Sequence, residues 1–238
     1  MVVDLVEPKS VVDVGCGTGV WLAIFRESGV KEILGVDHLV ESEVLELSKS
    51  EFMDFDLRLP LKLGRKFDLV VSLEVAEHLP KEFAEVFVDS LVALGDVVLF
   101  SAAIPHQQGF RHINEQWPDY WARIFASKGF LPVDCLRTKI WTNDDVEPWY
   151  AQNILLYATQ SVLDRHPRLR EQWEGNRGRP LAIVHPKVYV LSCNARSADP
   201  RALPLRKTLA VLPALMLNAA ARRLRMLKDT ETVVLAHI

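Results

Sequence analysis

The chain has 238 residues, 49% of them hydrophobic and 25% charged, with 11 glycines and 13 prolines; this excludes a disordered, collagen-like or low-complexity protein and allows one full domain plus an appendage. Cys16, Cys135 and Cys193 stand far apart without Cys-x-x-Cys spacing, which excludes a disulfide framework and a Cys-rich zinc site and suits a reducing, cytoplasmic compartment. The net charge of −3 conceals an asymmetry: residues 1–160 carry 14 basic and 25 acidic side chains (−11), and residues 161–238 carry 14 and 6 (+8).

The N-terminal residues lack the basic and apolar regions of a signal peptide. No stretch reaches the roughly 18 uncharged apolar residues of a membrane span, since the longest, 209–221, contains Pro213 and Asn218. Residues 10–16, Ser-Val-Val-Asp-Val-Gly-Cys, read as a buried parallel strand feeding a tight turn. Residues 19–29 form a helical pattern closed by Gly29, and a second strand runs from Glu32 to Val36 and ends at Asp37. Phe67–Val75 is a nearly continuous apolar strand, Lys81–Leu94 an amphipathic helix capped by Gly95, and Val97–Ser101 a further strand. Trp117–Lys128 is a helix stopped by Gly129. Leu131–Ile140 and Ala151–Gln160 read as strands joined by a loop too short for a crossover, and hence antiparallel. The alternation predicts an α/β fold with a mostly parallel sheet. Beyond residue 160 the chain becomes basic and punctuated by proline, and 205–228 patterns as an apolar helix with an Arg-rich end, kinked at Pro213.

The first chemical signal is Asp13-Val14-Gly15-Cys16-Gly17-Thr18-Gly19, between a strand and a helix. Glycines there allow positive φ and close approach of a ligand, and the helix start offers free N–H groups. Val20 stands where a dinucleotide fingerprint requires its last glycine, which tells against NAD or FAD. Asp37, 20 residues after Gly17, stands where a doubly wound sheet places the carboxylate that binds ribose hydroxyls. Glu74-x-x-Glu77-His78 puts two carboxylates and an imidazole at a strand-to-helix junction, a donor set open to Mg²⁺ or to a transition metal. The segment from Ser101 to Trp117 carries His106, Gln107, Gln108, His112 and Asn114. It suits a polar acceptor, with His106 or His112 as general base, because imidazole titrates near neutrality. Trp141, Trp149 and Tyr150 either stack on an acceptor ring or pack beneath their loop.

On these residues the chain, from Ser10 to Gln160, resembles the class I S-adenosylmethionine-dependent methyltransferases. The resemblance implies a doubly wound, Rossmann-like, mostly parallel seven-stranded sheet with an antiparallel last strand. It implies S-adenosylmethionine as cofactor, with Gly15, Gly17 and Gly19 along the methionine end, Asp13 holding a loop that includes Cys16, and Asp37 with His38 at the ribose. Asp56-Leu57 resembles the adenine-contacting turn, a role for which Asp54 competes, and Glu74 falls at the edge facing the transferred methyl group. Glu74, Glu77 and His78 are also similar to the metal-binding Glu-x-x-Glu-His of ubiquinone-pathway O-methyltransferases and small-RNA 2′-O-methyltransferases. Phe110-Arg111-His112 is similar to the segment that supplies the latter's further histidine. The same Glu-His also occurs in metal-free relatives as helix-start residues.

The expected organisation is a methyltransferase domain at 1–160 and a basic, partly helical extension at 161–238 acting as lid, substrate cover or homodimer contact. The expected activity is O-methylation of a small hydroxylated acceptor, a sugar or secondary-metabolite intermediate, with Glu74, His106 and His112 as catalytic residues. The acidic first part disfavours a nucleic acid held through its phosphates. The alternatives are N-methylation of a small amine, metal-dependent RNA 2′-O-methylation, and a non-catalytic binding module.

Overall fold

The β-branched run after Lys9 is extended and, past its first residue, buried, and it lies in the interior of a seven-stranded sheet. The strands are Ser10–Val14 (β1), Glu32–Asp37 (β2), Phe52–Asp54 (β3), Leu69–Leu73 (β4), Val97–Ser101 (β5), Phe130–Val133 (β6) and Leu155–Thr159 (β7). The computed structural model describes residues 1–38, 40, 44–198, 213 and 216. The strand order is β3-β2-β1-β4-β5-β7-β6, with β1 to β5 parallel and β7 antiparallel to both its neighbours. β4 and β5 are buried at every position, as central strands covered on both faces must be.

Helices cover both faces. On one side lie Val2–Val6 (α1) and Val20–Glu27 (α2), the latter burying Leu22 and Phe25. On the other lie Ala84–Leu94 (α3) and Pro118–Ser127 (α4), which bury Phe87, Leu91, Trp121 and Phe125. Proline at the first position starts α4, and Gly129 at φ 82 ends it as expected. Gly95 is not a left-handed cap: its backbone is extended, and a Cβ there would stand 2.7 Å from the Phe67 carbonyl oxygen, so close backbone approach is what requires glycine.

The expected strand Leu131–Ile140 stops at Val133. Asp134 and Arg137 form a bidentate ion pair (2.9 and 2.6 Å) that turns the chain into a short helix, Arg137–Ile140 (α5). The connection expected as a plain loop starts a second helix, Pro148–Asn153 (α6), so the returning strand begins at Leu155 and not at Ala151. The antiparallel pairing itself holds.

Two compact units result, Met1–Tyr189 and Val190–Ile238. The first thus runs past the composition boundary at residue 160. Gln160–Arg165 (α7) and Pro167–Asn176 (α8) bury Val162, Leu163 and Leu169, a handful of apolar side chains in a basic segment, in the core. Pro186–Ala198 (α9) follows. The helix expected over 205–228 lies outside the described residues, apart from 213 and 216. Among the described residues no helix is long and apolar enough to cross a membrane.

Arg137 is fully buried, and its remaining Nη1 donates to the carbonyls of Gln152 (3.2 Å) and Leu181 (2.7 Å). Removing one partner of such a pair strands the other charge. Arg137→Ala is therefore expected to cost about 3–5 kcal/mol in urea unfolding. A cost below about 1 kcal/mol would show that Asp134 is not held in the interior.

Candidate active site

The carboxyl ends of β1, β2 and β4 open into a cleft of about 650 Å³. Gly15, Gly17 and Gly19 have φ of 87°, 54° and 88°, in the left-handed region that side chains resist. Gly15 N–H donates to the Val36 carbonyl (2.7 Å), and Gly17 N–H to Asp37 Oδ2 (2.6 Å), so the glycine turn is tied to the end of β2. A Cβ on Gly15 would overlap Val75, whereas one on Gly17 would meet nothing within 4 Å. The first glycine is thus needed for packing, and the second faces open space.

Asp37 Oδ1 accepts from His38 N–H (2.7 Å). His38 pairs through Nδ1 with Asp54 (2.7 Å), while Asp56 is gripped by Arg58 (2.6 Å at the shortest), whose guanidinium holds the Asp56 carboxyl at about 2. Of the two competing carboxylates, Asp56 with Leu57 borders the cleft. Asp13 lies buried beneath the turn, with Oδ2 lacking a hydrogen-bond partner; burial and, second, the charge of Asp37 push its carboxyl up from 3.8 to about 8. A carboxyl that gains proton affinity on folding keeps its proton in the folded state, so stability is fullest at acid pH and is lost as pH climbs toward about 8. The thermal midpoint of the ligand-free protein is accordingly expected to fall between about pH 5 and pH 8, and Asp13→Asn to flatten that slope. An unchanged slope would assign the pH dependence to another group.

Glu74 follows β4 at φ 56, a strained conformation outside glycine. Its N–H donates to the Ser101 carbonyl (3.0 Å), and its carboxylate accepts from Asn153 Nδ2 (3.0 Å) and Gln107 Nε2 (3.1 Å). Gln152 completes an amide trio by donating to Gln107 Oε1 (3.1 Å) and Asn153 Oδ1 (2.9 Å). Burial raises the Glu74 pKa, and these donors work against the rise.

Ala76–His78 is a 3-10 turn. The Glu77 carbonyl accepts from both Ile113 N–H (2.9 Å) and Asn114 N–H (3.0 Å), clamping the loop after β5 onto this turn. That clamp brings Glu77, His78 and His112 together, with ligand-type atoms all within 4.8 Å of one another. The imidazoles of His78 and His112 meet edge to face at 4.9 Å. Burial, then His112, lowers the His78 pKa. Glu77 is fully buried and neither carboxylate oxygen has a hydrogen-bond partner; burial, then the charge of Glu74, raises its pKa.

Gly15, Gly17, Asp37, His38, Asp56, Leu57, Glu74 and His78 all line the cleft, and the neighbouring wall adds Arg111 and Ile113. Cys16 and Asp13 sit under the turn, and Gly19 caps α2 against Leu47. Glu77 and His112 stand just behind His78, whereas His106 is exposed on the loop outside the lining. Glu74 borders the Glu77–His78–His112 group, but its carboxylate is engaged by amides. Tyr150 packs edge-on against Trp21 (5.6 Å) and Trp141 against His185 (4.6 Å), so these aromatics pack within the fold. Gln152 and Asn153 escaped the sequence reading. A polar Gln-Asn pair before an apolar strand was their only signal.

A doubly wound sheet with a glycine cradle at β1 and a carboxylate at the end of β2 defines a nucleotide-cofactor domain. A family profile described as a methyltransferase domain matches residues 3–120. Over these residues the chain carries a methyltransferase domain of the class I S-adenosylmethionine-dependent type. It is 30% identical over 154 residues to protein arginine N-methyltransferase 1 of Dictyostelium discoideum, a match covering 56% of this chain and 42% of that protein. The chain thus spans less than half of that relative. Among solved structures it is similar to the methyltransferase domain of bacterial CtHen1 (19% identity, 66% of this chain, 93% of that one, TM-score 0.48). It is also similar to magnesium protoporphyrin IX methyltransferase from Synechocystis PCC 6803 (25% identity, 63% and 69%, TM-score 0.44).

Proposed function

We propose that the chain transfers the methyl group of S-adenosylmethionine to a hydroxyl of a small polar acceptor, with Glu77, His78 and His112 as ligands of a divalent cation. The Glu77 carboxylate carries the reading, because it is fully buried, lacks a hydrogen-bond partner and stands with two imidazoles at the carboxyl end of the sheet. An orphaned buried carboxylate is costly unless a cation completes it. One oxygen and two nitrogen donors suit a borderline divalent ion. When bound, such an ion supplies Lewis acidity that lowers the pKa of a nearby hydroxyl.

The donor side rests on the open cradle at Gly17, whose missing side chain leaves room for the methionine portion. Asp37 is available to ribose hydroxyls, Asp56 and Leu57 border the adenine end, and Glu74 lines the cleft on the side proposed for the sulfonium. Transfer from a sulfonium mainly requires alignment. The amide trio gives Glu74 one orientation. A small acceptor is favoured over a nucleic acid because residues 1–160 carry a charge of −11.

Calorimetric titration of S-adenosylhomocysteine should give one site near micromolar, about −8 kcal/mol. Incubation with S-adenosylmethionine and a panel of sugars and vicinal diols, with Mn²⁺ or with EDTA, should then give hydroxyl methylation that EDTA abolishes. Transfer indifferent to EDTA would remove the cation and leave a histidine base. A folded protein that gives no heat with S-adenosylhomocysteine would remove the donor site.

A further inference from the structure

We propose that Glu115 is a positioning residue, whose carboxylate holds His112 in the Nδ1–H tautomer with the Nε2 lone pair turned toward Glu77. The inference rests on the cation reading for its functional consequence, but the tautomer can be measured without any metal.

Glu115 Oε2 accepts from His106 N–H (2.7 Å), and Oε1 accepts from Gln108 N–H (2.8 Å) and faces His112 Nδ1 (3.2 Å). A carboxylate accepting two backbone donors is itself an acceptor, so Nδ1 must carry the proton shared with it. In the neutral ring Nε2 is then bare, and it lies 4.0 Å from Glu77 Oε1, too far for a direct hydrogen bond. Two carboxylates therefore flank one imidazole with unequal roles: Glu115 takes its proton side, and Glu77 faces its lone pair across a gap. Carboxylate–imidazole–metal chains have this arrangement, in which the outer carboxylate fixes tautomer and ring orientation.

The backbone supports the assignment. His106, Gln108 and Arg111 have φ of 69°, 64° and 60°, a costly run for side-chain-bearing residues, and two of those three N–H groups end on Glu115. The imidazole of His112 also lies against Gly109, where any Cβ would overlap the ring. Thus the spacing His106, Gln108, Gly109, His112, Glu115 builds a seat for a single imidazole. Loop folding alone would need the two backbone contacts but neither the contact to Nδ1 nor the bare face at Gly109.

Long-range ¹H–¹⁵N NMR on the full chain in EDTA at alkaline pH should show His112 protonated at Nδ1 and bare at Nε2. In Glu115→Ala the signal should move to an Nε2–H or mixed population, with Glu115→Asp recovering part of the original pattern. Mn²⁺ affinity by calorimetry should fall about 10- to 100-fold in Glu115→Ala, while S-adenosylhomocysteine affinity stays within about twofold of wild type. Should the alanine variant fail to fold, Glu115→Met, which keeps the side-chain length but removes the carboxylate acceptor, is read in the same way. Any other protonation pattern in the wild type, or an unchanged tautomer in the variant, overturns the proposal. If wild type binds no Mn²⁺ but the tautomer responds to residue 115, the cation reading fails and the positioning role stands.

Discussion

Asp37→Ala is expected to weaken S-adenosylhomocysteine binding by about 30- to 1000-fold while leaving the circular-dichroism spectrum unchanged. Among the described residues, Asp37 is the one acidic side chain that both ties the glycine turn and faces the cleft: it accepts from Gly17 N–H at 2.6 Å and from His38 N–H at 2.7 Å. Those two contacts leave a carboxylate lone pair on each oxygen for the two hydroxyls of a ribose. Hydrogen bonds to a charged acceptor contribute about 1.5–3 kcal/mol each, and imperfect additivity brings the pair to about 2–4 kcal/mol, which is the quoted range in affinity. Asp37→Asn keeps one acceptor and should fall between the two. A change below about threefold in the alanine variant would mean that the nucleoside is held elsewhere.

The second large effect is expected to take opposite signs in two assays. Glu77→Gln should raise the thermal midpoint of the metal-free protein by several degrees and lower cation-dependent methyl transfer by about 100-fold or more. The stability gain follows from replacing a fully buried, unpartnered carboxyl beside another carboxyl with a neutral amide of the same shape. Relieving such a group is worth about 1–3 kcal/mol, or about 2–4 °C per kcal/mol in a domain of this size. The loss of transfer follows from removing the one anionic ligand of the proposed cation. Sites that carry strain for function trade stability for activity in this way. A drop in midpoint together with full activity would make Glu77 a structural residue.

The cofactor half of the cleft was legible because its chemistry is local. A strand that ends in Gly-x-Gly-x-Gly must turn with positive φ, and Asp37 lies at the end of the next strand in register with that turn. The same logic located β5 to the residue, since the apolar run Val97–Phe100 with Ser101, between Asp96 and Ala102, reads as a short buried strand. The half around Glu77 and the loop after β5 was legible only as a list of residue types. His106 and His112 looked equivalent in sequence, and the clamp of the loop onto the Glu77 carbonyl separates them: His112 is turned in toward Glu77 and His106 remains outside.

By itself the sequence determined the alternation of strands and helices, the glycine cradle and its partner Asp37, because hydrophobic period and glycine backbone freedom act over neighbouring residues. Only the tertiary structure decided which side chains meet Glu74. The antiparallel return of β7 beside β5 carries Asn153 to a carboxylate 79 residues earlier, and the buried Asp134–Arg137 pair shapes the turn that sends it there. Such pairings come from sheet order and from the cost of leaving buried polar groups unpaired, and neither quantity is written in the spacing of residues along the chain.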